Sequence, residues 1–203
     1  NMNHMFYFAS SFNGGISKWD VARVTSMNGM FFEATAFNSD VSAWDVSRVT
    51  DMSFMFQDCK VLNSVMQNLL RNRSSTVEDS TAESMFAGCT LLNQNLGSWD
   101  LSSFTNISMM FQNCSDFNNG NDDSIRSWDV SSVTDASYMF SGCRNFRAGS
   151  INTGPSSNIG GIGLGPGTVY YSDRSNGGIF SLTDSKPPNL TGMLAGTGHG
   201  TDV

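Results

Sequence analysis

The sequence predicts an α/β repeat solenoid over residues 1–150, in which each coil is a short strand followed by a helical arc. A Gly/Pro/Ser-rich linker is expected at 151–167 and a short all-β segment at 168–203. Three observations carry this expectation. The pair Met-Phe recurs as Met5-Phe6, Met30-Phe31, Met55-Phe56, Met85-Phe86, Met110-Phe111 and Met139-Phe140. Two hydrophobic periods alternate inside each unit. The composition then changes near residue 150.

The Phe spacings are 25, 25, 30, 25 and 29, so the unit is 25 residues with insertions of 5 and 4. Trp19, Trp44, Trp99 and Trp128 each stand 12 residues before such a Phe, and Leu69 holds the remaining Trp slot. In "SAWDVS", Trp44 and Val46 alternate with Asp45, the period of a half-buried strand. Val49, Met52, Met55/Phe56, Cys59 and Leu62 then recur at three- to four-residue steps, the stripe of a short helical arc. Thr50-Asp51 suits the first turn of that arc, because a hydroxyl caps free N–H groups and a carboxylate favours the positive helix end. One such unit cannot bury both apolar faces, whereas stacked copies can.

Equivalent positions of stacked coils form columns. The structural ladder is Trp19, Trp44, Trp99 and Trp128 with Phe31, Phe56, Phe86, Phe111 and Phe140. Burying one such side chain contributes about 1.5–3 kcal/mol. Asn13, Asn38, Asn63, Asn93 and Asn118 form a second column, expected to be buried and to satisfy backbone groups at the turn. The slot reads Arg147 in the last unit, which marks the end of the stack. Cys59, Cys89, Cys114 and Cys143 lie three residues after the repeat Phe, where Ala9 and Ala34 stand in the first two units. The slot wants a small buried side chain. Packed arcs lie about 8–10 Å apart, too far for a disulfide, so four buried free thiols are expected. Zinc lacks ligand pairs close in sequence.

Asp20, Asp45, Asp100 and Asp129 follow the tryptophans. Stacked carboxylates repel unless they are solvated, hydrogen-bonded or share a cation. Solvation or hydrogen bonding is the plain reading, and calcium bridging is the alternative, since hard oxygen ligands suit that ion. "NNGNDD" at Asn118–Asp123 reads as a polar turn or a second calcium loop. No other cofactor is expected.

The net charge is −7, from 11 basic and 18 acidic residues, and only 14% of the chain is charged. An acidic surface argues against nucleic acid and against docking on anionic lipid. No apolar run is long enough to span a bilayer as a helix. The chain opens inside a repeat, so a piece of a longer protein is expected. The two histidines, His4 and His199, have no nucleophile and orienting acid arranged around them. No phosphate loop, zinc-helix motif or nucleophile elbow is present, and catalysis is not expected. Sequons at Asn72, Asn106, Asn113 and Asn189 are candidate N-glycosylation sites.

The words M-F-x-x-[AC], F-N, W-D-V-S and V-T-x-M recur through residues 1–147. The unit resembles the 25-residue repeat of bacterial surface proteins and Mycoplasma lipoproteins, grouped with the BspA-like leucine-rich repeats. The resemblance implies a leucine-rich-repeat-like solenoid on a secreted or surface-anchored protein. Leu69 and the two insertions depart from the pattern. Beyond the linker, "VYYSD", "GGIFSLTD" and "NLTGMLAG" are strand-like runs between turns. Val169–Val203 resembles one LVIVD-type repeat, which implies the first blade of a β-propeller.

Two functions are expected from different classes. The first is a non-catalytic extracellular or cell-surface recognition and adhesion module that binds a protein or glycan. The second is a structural subunit of an extracellular filament, coat or appendage, whose ends pack against copies of itself or other chains. The residues the repeat leaves free, such as Ser42, Ala43 and Arg48, are the expected contacts.

Overall fold

A computed structural model describes residues 1–71, 77–121, 124–130 and 132–146, together with the backbone of two strands near the C-terminus. Six coils, starting near residues 1, 26, 51, 81, 106 and 135, stack in sequence order through hydrogen bonds between equivalent positions.

The coils are not built as expected. No α-helix occurs among the described residues, and the stack contains only two short strands. These are β1 (Ser80–Thr81) and β2 (Phe104–Asn106), paired in parallel. Single parallel bridges, Ser26 to Asp51, Asp51 to Thr81 and Asn106 to Asp135, continue that line. Two 3₁₀ turns, Asn119–Asn121 and Ser124–Ser127, occupy the second insertion. Most of the described backbone is turns and irregular extended chain. The α/β class, the strand-plus-helical-arc coil and the leucine-rich-repeat-like expectation are therefore corrected.

The reason lies in where the amide groups go. In the third coil Met52, Phe54, Phe56 and Asp58 donate to the Thr81, Glu83, Met85 and Ala87 carbonyls of the next coil, at 2.7–2.9 Å. The amides between them, on Met55, Gln57 and Cys59, donate three residues back, to Met52, Phe54 and Phe56. Every second N–H thus leaves the coil, whereas an α-helix would keep them all. Two slots per coil also have positive φ: His4, Gly29, Phe54, Ser84, Met109 and Tyr138 fill one, and Phe8, Glu33, Asp58, Gly88, Asn113 and Gly142 the other. Two left-handed residues four positions apart in each coil forbid a right-handed helix there and suit a run of tight turns.

The expected strand at Trp44–Val46 is likewise absent. Turns closed by Trp44 N–H on Val41 and Val49 N–H on Val46 flank it. Burial still alternates, with Trp44 and Val46 buried and Asp45 exposed. The ladder instead runs through the Asp51 slot, where a helix start was expected. Asp51 Oδ1 accepts from Ser53 N–H (2.9 Å) and opens the series of turns.

The core is a set of aromatic columns. Phe6, Phe31, Phe56, Phe86, Phe111 and Phe140 stack with centroids 5.3–5.7 Å apart. Trp19 stacks on Trp44 at 6.5 Å and Trp99 on Trp128 at 6.3 Å. Leu69, in the slot between, is buried.

By itself, β3 (Val169–Ser172) pairs antiparallel with β4 (Ile179–Leu182), Val169 opposite Leu182 and Ser172 opposite Ile179. The rest of 168–203 and the linker 151–167 lie outside the described residues, as do Arg147, Asp122 and Asp123.

Candidate functional site

The cysteine column shows how closely each coil fits the one before. The Sγ atoms of Cys59, Cys89, Cys114 and Cys143 donate to the Phe31, Phe56, Phe86 and Phe111 carbonyls at 3.2, 3.0, 3.0 and 2.9 Å. All four are free and buried. Loss of hydration pushes each thiol above its ordinary value of 9.0. Such thiols are structural and poor nucleophiles. The thiol-to-carbonyl bond was not read from the sequence, which shows only a small-residue slot.

The asparagine column sits at the surface rather than in the core. Asn13, Asn38, Asn63 and Asn93 each accept, on Oδ1, the backbone N–H of the next column member, at 2.8–2.9 Å. Of the sequons, Asn113 is exposed and holds positive φ. Asn106 Oδ1 accepts from Ser108 N–H (2.9 Å). Asn72 and Asn189 lie outside the described residues.

The aspartates turn inward on their own loops. Asp20 accepts from Ala22 N–H (3.1 Å), Asp45 from Ser47 N–H (3.0 Å) and Asp100 from Ser102 N–H (3.0 Å). Asp129 occupies the same slot in the fifth coil. In the third coil the slot is Leu70, fully buried, so the carboxylates do not form one continuous row. Among the described residues, no three His, Cys, Asp or Glu side chains gather where a metal could sit.

Leu69 and Arg71 also line a surface cleft. The cleft, of about 800 Å³, lies beside Leu69, which stands in the slot that holds tryptophan in four other coils. It is lined by residues 42–47 of the second coil and by Asn68, Leu69 and Arg71 of the third, of which Trp44, Val46 and Leu69 are buried. Hydrogen bonds from the Ser47 hydroxyl and backbone hold Asp45 below its ordinary carboxylate value of 3.8, so it is ionised at neutral pH. Arg71 makes no ion pair with any described residue. The cleft lining therefore includes both an anion, Asp45, and a cation, Arg71. Of the residues left free by the repeat, Ser42 and Ala43 line it and Arg48 does not. Asn68 and Arg71 were missed in the sequence. Their signal was the third unit's "LLR" where the second reads "WDV".

A family model described as "Mycoplasma protein of unknown function, DUF285" matches residues 1–81 and 72–158. The chain belongs to this family. The two matches together span the six coils and run past the last described coil residue, Phe146. No curated protein and no solved structure matches the chain.

Proposed function

We propose that the chain is a non-catalytic recognition module, acting at a cell surface or outside the cell, that takes a polar protein or glycan ligand in the cleft beside Leu69. The carrying observation is the cleft itself, which lies at the break in the tryptophan column and is lined by both Asp45 and Arg71. A ligand bearing donors, acceptors and charge matches that mostly polar lining, and arginine is a common anchor at binding surfaces.

The test is binding of charged and neutral peptides and oligosaccharides on an array, followed by titration of the hits. Arg71→Ala and Asp45→Asn should each weaken a true cleft ligand by about tenfold or more, the loss of one charge-assisted contact. Melting temperatures should hold, since both side chains lie at the surface. Hits that bind both variants unchanged would place recognition elsewhere.

A further inference from the structure

The sequence holds four Asn-Gly pairs: Asn13-Gly14, Asn28-Gly29, Asn119-Gly120 and Asn176-Gly177, the last outside the described residues. Such a pair is labile, because glycine has no Cβ to keep its backbone nitrogen away from the asparagine side chain. The fold treats the three described pairs differently. Gly29 N–H donates to the Ser53 carbonyl at 2.9 Å, and Asn28 Nδ2 donates to Asp51 Oδ2 at 3.1 Å. Asn119 is buried. Its Oδ1 accepts Leu96 N–H at 2.7 Å and its Nδ2 donates to Ser124 Oγ at 3.3 Å. Gly120 N–H donates to Asn93 Oδ1 at 3.0 Å. In both pairs the glycine nitrogen that would attack is committed to a bond between coils, and the side-chain amide is tied down as well.

Asn13 stands apart from them. It is exposed, and neither the Gly14 N–H nor Asn13 Nδ2 donates to any described residue. Asn13 Oδ1 accepts the Asn38 N–H and the Ser39 hydroxyl, each at 2.9 Å. Those two donors draw charge from Cγ and stabilise the negative charge that gathers on Oδ1 when Cγ is attacked. Ser39 and Ser64 fill the Gly14 slot in the second and third coils, and their backbone N–H groups also donate to no described residue. Asn38 and Asn63 are exposed too. The undonated amide and the exposed side chain thus belong to the slot, not to the first coil's position in the stack. What sets Asn13 apart within its column is the glycine that follows it.

We propose that Asn13-Gly14 is a site of spontaneous covalent modification, in which the Gly14 nitrogen closes a succinimide ring on Asn13 Cγ. A solvent base takes the Gly14 amide proton, the N–C bond forms, and the side-chain nitrogen leaves as ammonia. Water then adds to one of the two ring carbonyls and opens the ring to aspartate or isoaspartate. No oxidant or reductant takes part. Either product adds a negative charge. Isoaspartate also adds a methylene to the backbone, at the first link of the asparagine column. The site shares no residue with the cleft, so either can fail without the other.

The test ages the full chain at mildly alkaline pH and follows each pair by peptide mapping and mass, with isoaspartate separated from aspartate by elution. In the folded chain Asn13 should convert about tenfold or more faster than Asn28 and Asn119, which must first break their hydrogen bonds. In denaturant the three pairs should convert at similar rates. Gly14→Ser, the residue that the second and third coils carry in that slot, should slow Asn13 several-fold and leave Asn28 and Asn119 unchanged. A folded chain in which Asn13 stays intact, or in which the three pairs convert together, would overturn the site. So would an Asn13 rate unchanged by Gly14→Ser. A lead for Asn13 that persists in denaturant would overturn the part assigned to the fold.

Discussion

At the scale of single residues, two features set the energetics. The first is the left-handed slot. Nine of its twelve occupants among the six coils are not glycine, and each pays about 1–2 kcal/mol for that backbone. Glu33→Gly should therefore stabilise the chain by about 0.5–1 kcal/mol once glycine's extra unfolded entropy is counted. Gly88→Ala should destabilise it by about 1–2 kcal/mol, because the new Cβ would stand 2.3 Å from Asp58 Oδ1 at a φ of +74°. Denaturant melts of the two variants check both signs. The second feature is the thiol column. Burial raises the folded thiols above 9.0 while the unfolded ones ionise near it. The folded state then holds more protons than the unfolded, so stability is fully present below about pH 9 and falls as pH rises. Each thiol contributes up to about 1.4 kcal/mol per pH unit to that fall. Denaturant melts under reducing conditions at pH 8, 9 and 10 should show it, and Cys114→Ala should flatten the slope. Equal slopes in the two proteins would mean that this thiol ionises in place.

At the scale of the coil, the repeat makes many small contacts that act together. Asn38 shows one of them, accepting the Asn63 amide at 2.8 Å. Asn38→Ala should cost about 1 kcal/mol, while Asn38→Asp keeps the acceptor and should cost less; thermal melts of the pair separate the two. The coil also explains what could be read from the sequence. Val49, Met52, Met55, Phe56, Cys59 and Leu62 are all buried as the spacing requires. A helix and a chain of three-residue turns place apolar side chains at nearly the same steps, so periodicity could not separate them. The deciding signal was weaker: Gly29, Gly88, Gly142, Asp58 and Asn113, residues that tolerate positive φ, recur at two slots. Trp44 and Val46 alternate as strand residues do, yet Asp45 ties its carboxylate to Ser47 N–H and the chain turns instead. The cleft was legible only as a departure at Leu69. Its walls depend on which coil stacks against which, and a single unit does not show that.

At the scale of the whole molecule, stability is a sum over neighbouring coils, since each coil bonds to those beside it. Insertions are tolerated because they lengthen a loop without shifting the columns, as the second one does between the stacked Phe111 and Phe140. The same arrangement gives the chain a mechanical direction. The intercoil bonds run roughly along the stack, so a pull along it loads one coil boundary at a time. A pull across the stack shears the bonds of a boundary together. Under axial force the molecule should therefore peel in steps, each freeing roughly 25 residues or about 85 Å of chain. Single-molecule extension would show that sawtooth, and one all-or-none rupture would contradict it. A polypeptide of this kind would yield to load by paying out length coil by coil, as a graded tether between whatever its two ends hold.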